Sequence, residues 1–237
     1  MSIEHHDEPK SYEVKVIGHI RTEFATKFGV PRQSGLAASL RGKIVFEPKD
    51  RNPDALRGLE GYSHLWLLWR FTQSMKEEWS PTVRPPRLGG NTRMGVFATR
   101  SPFRPSPIGL SSVEIDKIEL HTPQGPVIWV RGADLMDNTP ILDIKPYLAC
   151  TDSHPQARGG FASDGFDHRL EVMFEPGLQR KVPRESMEAL LEVLTQDPRP
   201  SYQDDPERIY GMNFAGMEIH FQVENGLLTV VSLEEAK

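Results

Sequence analysis

The stretch from Arg93 to Ser112, RMGVFATRSPFRPSPIGLSS, restricts the possible folds of this chain more than any other segment. Proline fixes its own φ and biases the preceding residue toward extended geometry, so Ser101, Arg104 and Ser106 are all restricted. This excludes a helix across the stretch and argues against a central strand. The stretch predicts a stiff connector between strands, and two interpretations stay open: a plain surface connector or a functional loop.

Positive charge is concentrated in this region, although the chain as a whole is acidic. The formal net charge is −5, which argues against a generally basic nucleic-acid-binding protein. Between Glu78 and Glu114 there is no Asp or Glu, and the arginines of that interval are Arg84, Arg87, Arg93, Arg100 and Arg104. A local cationic patch on an acidic protein predicts an anionic ligand. The alternative is that these arginines pair with acidic residues elsewhere in the chain.

Short strand-like segments dominate the first 150 residues, namely YEVKVIGHI, GKIVFE, SHLWLLWRF, MGVFATR, SSVEIDKIEL and PVIWVRGADL. Of these, SHLWLLWRF is nearly continuously apolar, which is typical of a buried strand. In SSVEIDKIEL the apolar positions shift phase between Ile115 and Ile118, which predicts a bulge. Many short strands with few helical segments predict a barrel or a sandwich.

The composition changes after Asp152, where SHPQARGGFASDG predicts a linker or loop. The segment ESMEALLEVLTQDP predicts a helix with one apolar face, formed by Met187, Leu190, Leu191 and Leu194. The following segment, DPRPSYQDDPERIYGM, is predicted to be irregular, and Asn225-Gly226 predicts a hairpin. We therefore predict a mainly β (α+β) protein, with a small β-barrel domain over residues 1–160 and a smaller α+β domain over 161–237.

Several site classes are missing from the sequence. It has no P-loop, no HExxH helix and no GxGxxG after a strand. The single cysteine, Cys150, excludes an internal disulfide and a multi-cysteine zinc site, and it suggests a reducing compartment. No apolar run approaches membrane-spanning length, and the N-terminal MSIEHHDEPKSYE resembles a flexible tail rather than a secretory signal. We expect a cytoplasmic protein without a metal site or a membrane segment.

Four segments taken together carry a family resemblance: KFGVPRQ, LEGYSHLWLLWRF, the Arg93–Ser112 stretch and GADLMDNTPILDIKPYL. In this order they resemble the TsaA-like family, also called TrmO. The later segment DPRPSYQDD…RIYG is similar to the C-terminal extension of its bacterial members. The chain departs from the family motif at Ser106, where an asparagine is usual, and at Cys150, where a tyrosine is frequent.

The resemblance implies an S-adenosylmethionine-dependent tRNA methyltransferase. Such enzymes methylate N6 of threonylcarbamoyladenosine beside the anticodon, and they work as homodimers with the cofactor near the subunit interface. We therefore expect tRNA, through its anticodon loop, and a second copy of the chain as partners. Two alternatives stay open: a non-catalytic module that binds S-adenosylmethionine or RNA for regulation, and a methyltransferase acting on another small or protein substrate.

The resemblance also implies a set of cofactor contacts: Pro31, Arg32, Gln33, Ser63, His64, Leu65, Arg100, Leu110, Asp134, Leu135, Met136 and Asp137. We expect Arg100 to reach the carboxylate or ribose of the cofactor and Leu110 to pack on its adenine. The acceptor N6 must lose a proton, for which Asp137, His64 and the substrate's own carboxylate are candidate bases. The alternatives are deprotonation by solvent, a core role for His64, and turn capping by Asp134 and Asp137.

An anticodon-loop base is already unpaired, so an enzyme can reach it at little cost in base-pairing energy. The arginines are expected to contact phosphates, and side chains of the C-terminal segment are expected to grip or stack on loop bases. The RNA-binding candidates are Arg84, Arg87, Arg93, Arg104, Tyr202, Arg208 and Tyr210. For the tyrosines, the alternative is packing between the two domains.

Overall fold

A closed antiparallel barrel forms the N-terminal part of the protein. The computed structural model describes residues 11–73, 78–163, 169–200 and 205–236. The barrel strands are β1 (Gly18–Arg21), β2 (Arg41–Phe46), β3 (His64–Arg70), β6 (Ile108–Glu119), β7 (Val127–Arg131) and β8 (Thr139–Pro146). They close in the order β1-β2-β7-β6-β3-β8, so that each of these strands is paired on both sides. Closure leaves the barrel without a free edge.

Alternating side chains fill the barrel. Ile44, Leu65, Leu67 and Ile141 are fully buried in its core. We expected SHLWLLWRF to form a buried strand, and the side chains of β3 alternate between buried and partly exposed because a barrel has only one interior. The predicted bulge in β6 is confirmed, since its register with β7 shifts between Ile115 and Lys117.

A four-stranded sheet and a helix form the C-terminal part. The strands are β9 (Glu171–Phe174), β10 (Tyr210–Phe214), β11 (Met217–Glu224) and β12 (Leu227–Glu235), in the order β10-β11-β12-β9. The longer helix, α2 (Met187–Thr195), packs against this sheet, and a one-turn helix, α1 (Ala149–Asp152), follows the barrel. The predicted fold class, mainly β with a small barrel and a smaller α+β unit, is confirmed.

Some of the local predictions for the C-terminal part are confirmed and others are wrong. The hairpin at Asn225-Gly226 is confirmed, with φ values of 50° and 82°. Leu190 and Leu194 of the helix are buried as expected, and Ala189 and Val193 complete the buried face. Met187 and Leu191 are only half-buried at its margin. Strand β10 lies partly in a segment that we expected to be irregular, because its neighbouring proline and charged residues mask the short apolar pattern.

The connection between β1 and β2, residues 22–40, belongs to the core of the second sheet rather than to the barrel. Phe24, Ala37 and Leu40 are buried in that core, and the rings of Phe24 and Phe214 meet edge-on at 5.3 Å. Ser39 fastens the same connection to α2, since its backbone N–H donates to a carboxylate oxygen of Glu192 at 2.8 Å. The connection therefore links the two parts of the molecule tightly.

Residues 78–107 form a folded excursion from the barrel that we name the arginine-rich loop. Its ribbon pairs β4 (Thr82–Val83) with β5 (Met94–Gly95), and Val96 is buried beneath it. The predicted absence of an α-helix holds here, where only single 3₁₀ turns occur. The expectation of no central strand fails at the end of the Arg93–Ser112 stretch, because β6 starts directly after Pro107, where the run of prolines ends.

Candidate functional site

Three distant segments meet at the carboxylate of Asp134. Ser111 Oγ donates to Asp134 Oδ1 at 2.5 Å, and Trp69 Nε1 donates to Ser111 Oγ at 3.0 Å. The Arg100 guanidinium donates to Gln33 Oε1, and its positive charge also acts on Asp134. We name Gln33, Trp69, Arg100, Ser111 and Asp134 the Asp134 cluster. It joins the β1–β2 connection, the arginine-rich loop, the barrel wall and the turn before β8.

Two glycines permit these segments to approach each other. A Cβ at Gly109 would lie 2.2 Å from Cε2 of Trp69, so only glycine leaves room for the indole ring that donates to Ser111. Gly132 has a φ of 69°, and a Cβ there would stand 3.2 Å from the Gly35 Cα. The Gly35 N–H donates to the Gly132 carbonyl at 2.8 Å, which fixes the loop bearing Gln33 beside the turn bearing Asp134.

Opposing effects act on the pKa of Asp134. Removal of its carboxylate from water raises the pKa of Asp134 above the usual value of 3.8. The hydrogen bond from Ser111 and the charge of Arg100 act in the opposite direction but do not cancel this effect. Leu110, the neighbour of Ser111 on β6, points outward and is 50% exposed. The cluster thus offers a cation, a half-buried carboxylate and an amide within one small region, whereas the Leu110 side chain lies on the opposite face of β6 from Ser111.

Hydrogen bonds, most of them from Arg21 and Thr22 at the end of β1, hold the turn after Asp134 in place. Asp137 accepts from the Thr22 backbone N–H at 3.0 Å through Oδ1 and from Arg21 at 3.2 Å through Oδ2. The carbonyls of Leu135 and Met136 each accept a hydrogen bond from a threonine hydroxyl, at 3.0 and 2.8 Å. The Leu135 side chain is buried in the barrel core. Both carboxylate oxygens of Asp137 are therefore engaged by the end of β1 rather than by the backbone of its own turn.

The Ser63–Leu65 segment lies apart from the Asp134 cluster within one chain. His64 is exposed, so it is not a core histidine, and its Nδ1 is 2.9 Å from Ser63 Oγ. Leu65 is fully buried inside the barrel. In the β3–β6 register His64 faces Glu114, whereas Leu67 faces Ser111. Three residues of strand therefore separate His64 from the cluster, a distance of about 10 Å.

The remaining two cofactor candidates lie in the β1–β2 connection. Pro31 is buried, and Arg32 donates through NH2 to the Arg199 carbonyl at 2.9 Å. This bond ties the loop to the segment that follows α2. The structure therefore brings Gln33 to the Asp134 cluster and directs Arg32 toward the C-terminal part of the protein.

The RNA-binding candidates differ in exposure. Arg84, Arg93 and Arg208 are exposed, and Arg93 donates to Thr82 Oγ1 at 3.0 Å. Arg104 instead braces the arginine-rich loop, since its NH2 donates to the carbonyls of Val96 and Thr99 at 3.2 and 2.9 Å.

The two tyrosine candidates and Arg87 complete this set. Tyr210 is 4% exposed and stacks on Phe221 with ring centroids 5.6 Å apart, so it packs within the C-terminal sheet, since the two residues pair between β10 and β11. Tyr202 and the side chain of Arg87 lie outside the described part of the structure. The exposed members of the arginine-rich loop that remain for RNA are Arg84 and Arg93.

Sequence reasoning missed Ser111 and Trp69, although a signal was present. Gly109, Ser111 and Val113 alternate as inward positions of β6. A serine at an inward position of a barrel strand must find a hydrogen-bond partner, and this requirement points toward a neighbouring polar side chain. In the residues that the structure describes, no group of three or more His, Cys, Asp or Glu side chains is placed to bind a metal ion. Within the same ranges, no helix is long and apolar enough to span a bilayer.

Comparison with known proteins identifies the relatives of this chain. The model of the tRNA-methyltransferase O N-terminal domain matches residues 19–153, and that of the TrmO C-terminal domain matches residues 167–236. A protein of Escherichia coli K12 named tRNA (adenine(37)-N6)-methyltransferase is 40% identical over 233 residues, which cover 94% of this chain and 98% of that protein. A Pseudomonas aeruginosa protein whose name assigns it to the S-adenosylmethionine-dependent methyltransferases is 40% identical, with coverage of 89% and 92%.

A solved structure agrees with these matches. The crystal structure of TrmO from P. aeruginosa superposes with a TM-score of 0.79 at 32% identity, covering 97% of this chain and all of that one. Both family models, the full-length relative and the fold therefore agree, and the chain belongs to the TrmO family.

Proposed function

We propose that this protein is an S-adenosylmethionine-dependent tRNA methyltransferase that methylates N6 of threonylcarbamoyladenosine next to the anticodon. The observation that carries the proposal is the Asp134 cluster, where Arg100 of the arginine-rich loop and Gln33 meet Asp134. The names of relatives with nearly full coverage support tRNA as the substrate and adenine N6 as the acceptor. We further propose a cytoplasmic homodimer whose site lies near the subunit interface, in line with the family resemblance.

The Asp134 cluster fits the chemistry of S-adenosylmethionine. The exposed Arg100 guanidinium suits its carboxylate, and the Asp134 carboxylate suits its ammonium or sulfonium charge. In line with the family resemblance, we further propose that Leu110, which is 50% exposed on the face of β6 opposite to Ser111, packs on the adenine of S-adenosylmethionine. When bound, the cofactor would supply a methyl group that a nucleophile can accept, with the neutral thioether as the leaving group.

The protein's own contribution is to position these groups. Trp69 holds Ser111, and Ser111 in turn holds Asp134, so the carboxylate orientation is fixed before any ligand arrives. The prolines and the Arg104 bonds to carbonyls keep the arginine-rich loop in shape. Positioning of this kind accounts for a barrier reduction of roughly 7–11 kcal/mol in well-oriented reactions.

Removal of the acceptor proton has two protein candidates, Asp137 and His64. The Asp137 carboxylate oxygens already accept from Thr22 and Arg21, whereas His64 is exposed and its imidazole Nδ1 lies 2.9 Å from Ser63 Oγ. His64 lies about 10 Å of strand from the Asp134 cluster, so its participation requires a ligand that extends along β3 or a site completed by a second subunit. The substrate's own carboxylate and solvent remain alternatives.

Transfer of labelled methyl groups tests the proposed function. The purified protein is incubated with labelled S-adenosylmethionine and with tRNA that either carries or lacks the threonylcarbamoyl group. We expect label in the modified tRNA only. Cofactor binding without transfer to any tRNA would instead support a regulatory binding module. Absence of tRNA binding even at low salt would favour a different methyl acceptor.

Replacing Arg100 with alanine is expected to weaken cofactor binding at least tenfold, because a charge-assisted hydrogen bond contributes roughly 1.5–3 kcal/mol. Isothermal titration calorimetry with S-adenosylmethionine measures this loss. The Arg100→Lys variant is the matched control: it keeps the charge but loses the planar fork, so it should recover only part of the affinity. Unchanged affinity in Arg100→Ala would remove this arginine from the cofactor site.

Replacing Arg84 or Arg93 with alanine is expected to weaken tRNA binding and to flatten its dependence on salt. Removing one arginine that binds a phosphate should reduce the slope of log K against log salt by about 0.7–1. Filter binding over a range of salt concentrations gives that slope. Arg57→Ala is the control, since Arg57 is exposed but pairs with Asp54 outside the arginine-rich loop. Equal slopes for all variants would assign Arg84 and Arg93 to structure.

A further inference from the structure

Two aromatic rings of the arginine-rich loop stand exposed beside each other. Trp79 is 49% exposed and Phe97 is 76% exposed. Their ring centroids are 6.2 Å apart, and the ring planes are inclined by only 28°. Single exposed apolar residues are common on protein surfaces, but these two nearly parallel rings together present an exposed aromatic pair to solvent.

The aromatic pair lies close to arginines of the same loop. The Val96 N–H donates to the Pro81 carbonyl at 3.0 Å, which holds the segments before and after the ribbon together and brings Trp79 to Phe97. Arg93 precedes Phe97 by four residues and Arg100 follows it by three. At no more than about 3.6 Å per residue, both arginine Cα atoms lie within about 14 Å of the Phe97 Cα. Arg100 itself belongs to the Asp134 cluster.

We propose that Trp79 and Phe97 form a stacking platform for an unpaired base of the tRNA anticodon loop. This inference rests on the proposed function and deepens it, since it assigns the surface that holds the loop while Arg84 and Arg93 contact its phosphates. Aromatic rings stack on any base, because every base has a π-face, and interleaved cations bind the connecting phosphates. No Asp or Glu lies between Trp79 and Val113, so Glu78 is the single acidic residue of the loop, against the arginines Arg84, Arg87, Arg93, Arg100 and Arg104.

A second copy of the chain fits this surface less well. A stable interface takes roughly 20–30 residues from each side, whereas two rings account for the exposed apolar surface of this loop. Packing of this surface against itself about a two-fold axis would also bring Arg84 and Arg93 toward their own copies, and juxtaposed like charges oppose association. An RNA loop can stack a base on the rings and place its phosphates against the arginines at the same time.

The test measures binding of an anticodon stem-loop RNA that carries threonylcarbamoyladenosine. We expect Trp79→Ala and Phe97→Ala each to weaken binding about tenfold, the loss typical of one stacked base. The salt slope should stay unchanged in both, in contrast to Arg84→Ala and Arg93→Ala. Trp79→Phe and Phe97→Tyr keep a ring and should retain most of the affinity. Tyr12→Ala is the matched control, because Tyr12 is 74% exposed but lies outside the loop.

Abasic RNA identifies the contact as stacking. The loop nucleotides are replaced one at a time by abasic sites. One of these replacements should lower the RNA affinity of the wild-type protein to that of the alanine variants. The same replacement should not lower the RNA affinity of the alanine variants further. The inference is overturned if the alanine variants bind intact RNA like wild type, or if their deficit persists with every abasic RNA. It is also overturned if they lose a dimer in sedimentation analysis with RNA affinity unchanged.

Failure of the inference can be told apart from failure of the proposed function. If the wild-type protein binds and methylates modified tRNA but the alanine variants match it, only the stacking platform is wrong. If the wild-type protein neither binds nor methylates tRNA, both are wrong. Cofactor affinity measured for each variant reports whether the Asp134 cluster stays intact.

Discussion

Asp134→Asn is expected to lower affinity for S-adenosylmethionine about a hundredfold while the fold is preserved. Asparagine has the same shape and can still accept the hydrogen bond from Ser111, so the Trp69–Ser111 chain remains in place. It lacks the negative charge, and a hydrogen bond to a charged group contributes up to roughly 3 kcal/mol. Calorimetric titration of both proteins with the cofactor measures the difference.

The same substitution is expected to change how stability depends on pH. The folded-state pKa of Asp134 is raised above 3.8 by burial, so the folded protein binds this proton more tightly than the unfolded chain does. Stability from this group is therefore fully present below pH 3.8 and is lost as pH rises through the folded-state pKa. Asp134→Asn removes this dependence, and at neutral pH the variant should be at least as stable as the wild type.

Denaturant unfolding at a series of pH values checks this second effect. Asp143→Asn is the control for the calorimetric titration, since Asp143 lies on β8 in an exposed ion pair with Lys145 at 2.9 Å. We expect this control substitution to leave the affinity for S-adenosylmethionine unchanged. A wild-type affinity in Asp134→Asn, with the fold intact, would contradict the assignment of Asp134 to the cofactor site.

Phe24→Ala is expected to cost about 3–5 kcal/mol of unfolding free energy, the usual effect of removing a buried aromatic ring. Phe24 is 1% exposed and meets Phe214 edge-on, so the loss should destabilise the C-terminal sheet although Phe24 directly follows the first barrel strand. Equilibrium unfolding in urea, followed by tryptophan fluorescence and by circular dichroism, measures the change.

The matched control for this prediction is Phe97→Ala, which removes the same ring from an exposed position. We expect it to change the unfolding free energy by less than about 0.5 kcal/mol. A loss in Phe24→Ala that is as small as in Phe97→Ala would show that the β1–β2 connection is not part of the C-terminal core in solution.

Local features of the fold were predictable because short-range chemistry determines them. The hairpin at Asn225-Gly226 needs two residues that tolerate positive φ, and the phase shift around Lys117 requires a bulge wherever the strand pairs. The destination of Phe24 was not predictable. Its apolar character says only that it is buried, and nothing local distinguishes the barrel core from the core of the other sheet.

The candidate site shows the same division. The family resemblance selected Gln33, Arg100 and Asp134, and the structure brings these three together. Ser111 and Trp69 were missed because their role depends on the register of β3 with β6 and on the space left by Gly109. The resemblance also grouped His64 with these residues, although strand geometry separates it from them in one chain.

The packing of residues 22–40 against the C-terminal sheet limits which truncated or recombined forms of this chain can fold. Residues 22–40 come early in the chain, yet their apolar side chains need strands that are translated last. A nascent chain that has emerged only as far as the barrel therefore presents Phe24, Ala37 and Leu40 to water until the ribosome has nearly finished. Truncated or recombined forms that lack the later strands would expose an aggregation-prone apolar surface beside the segment that carries Gln33.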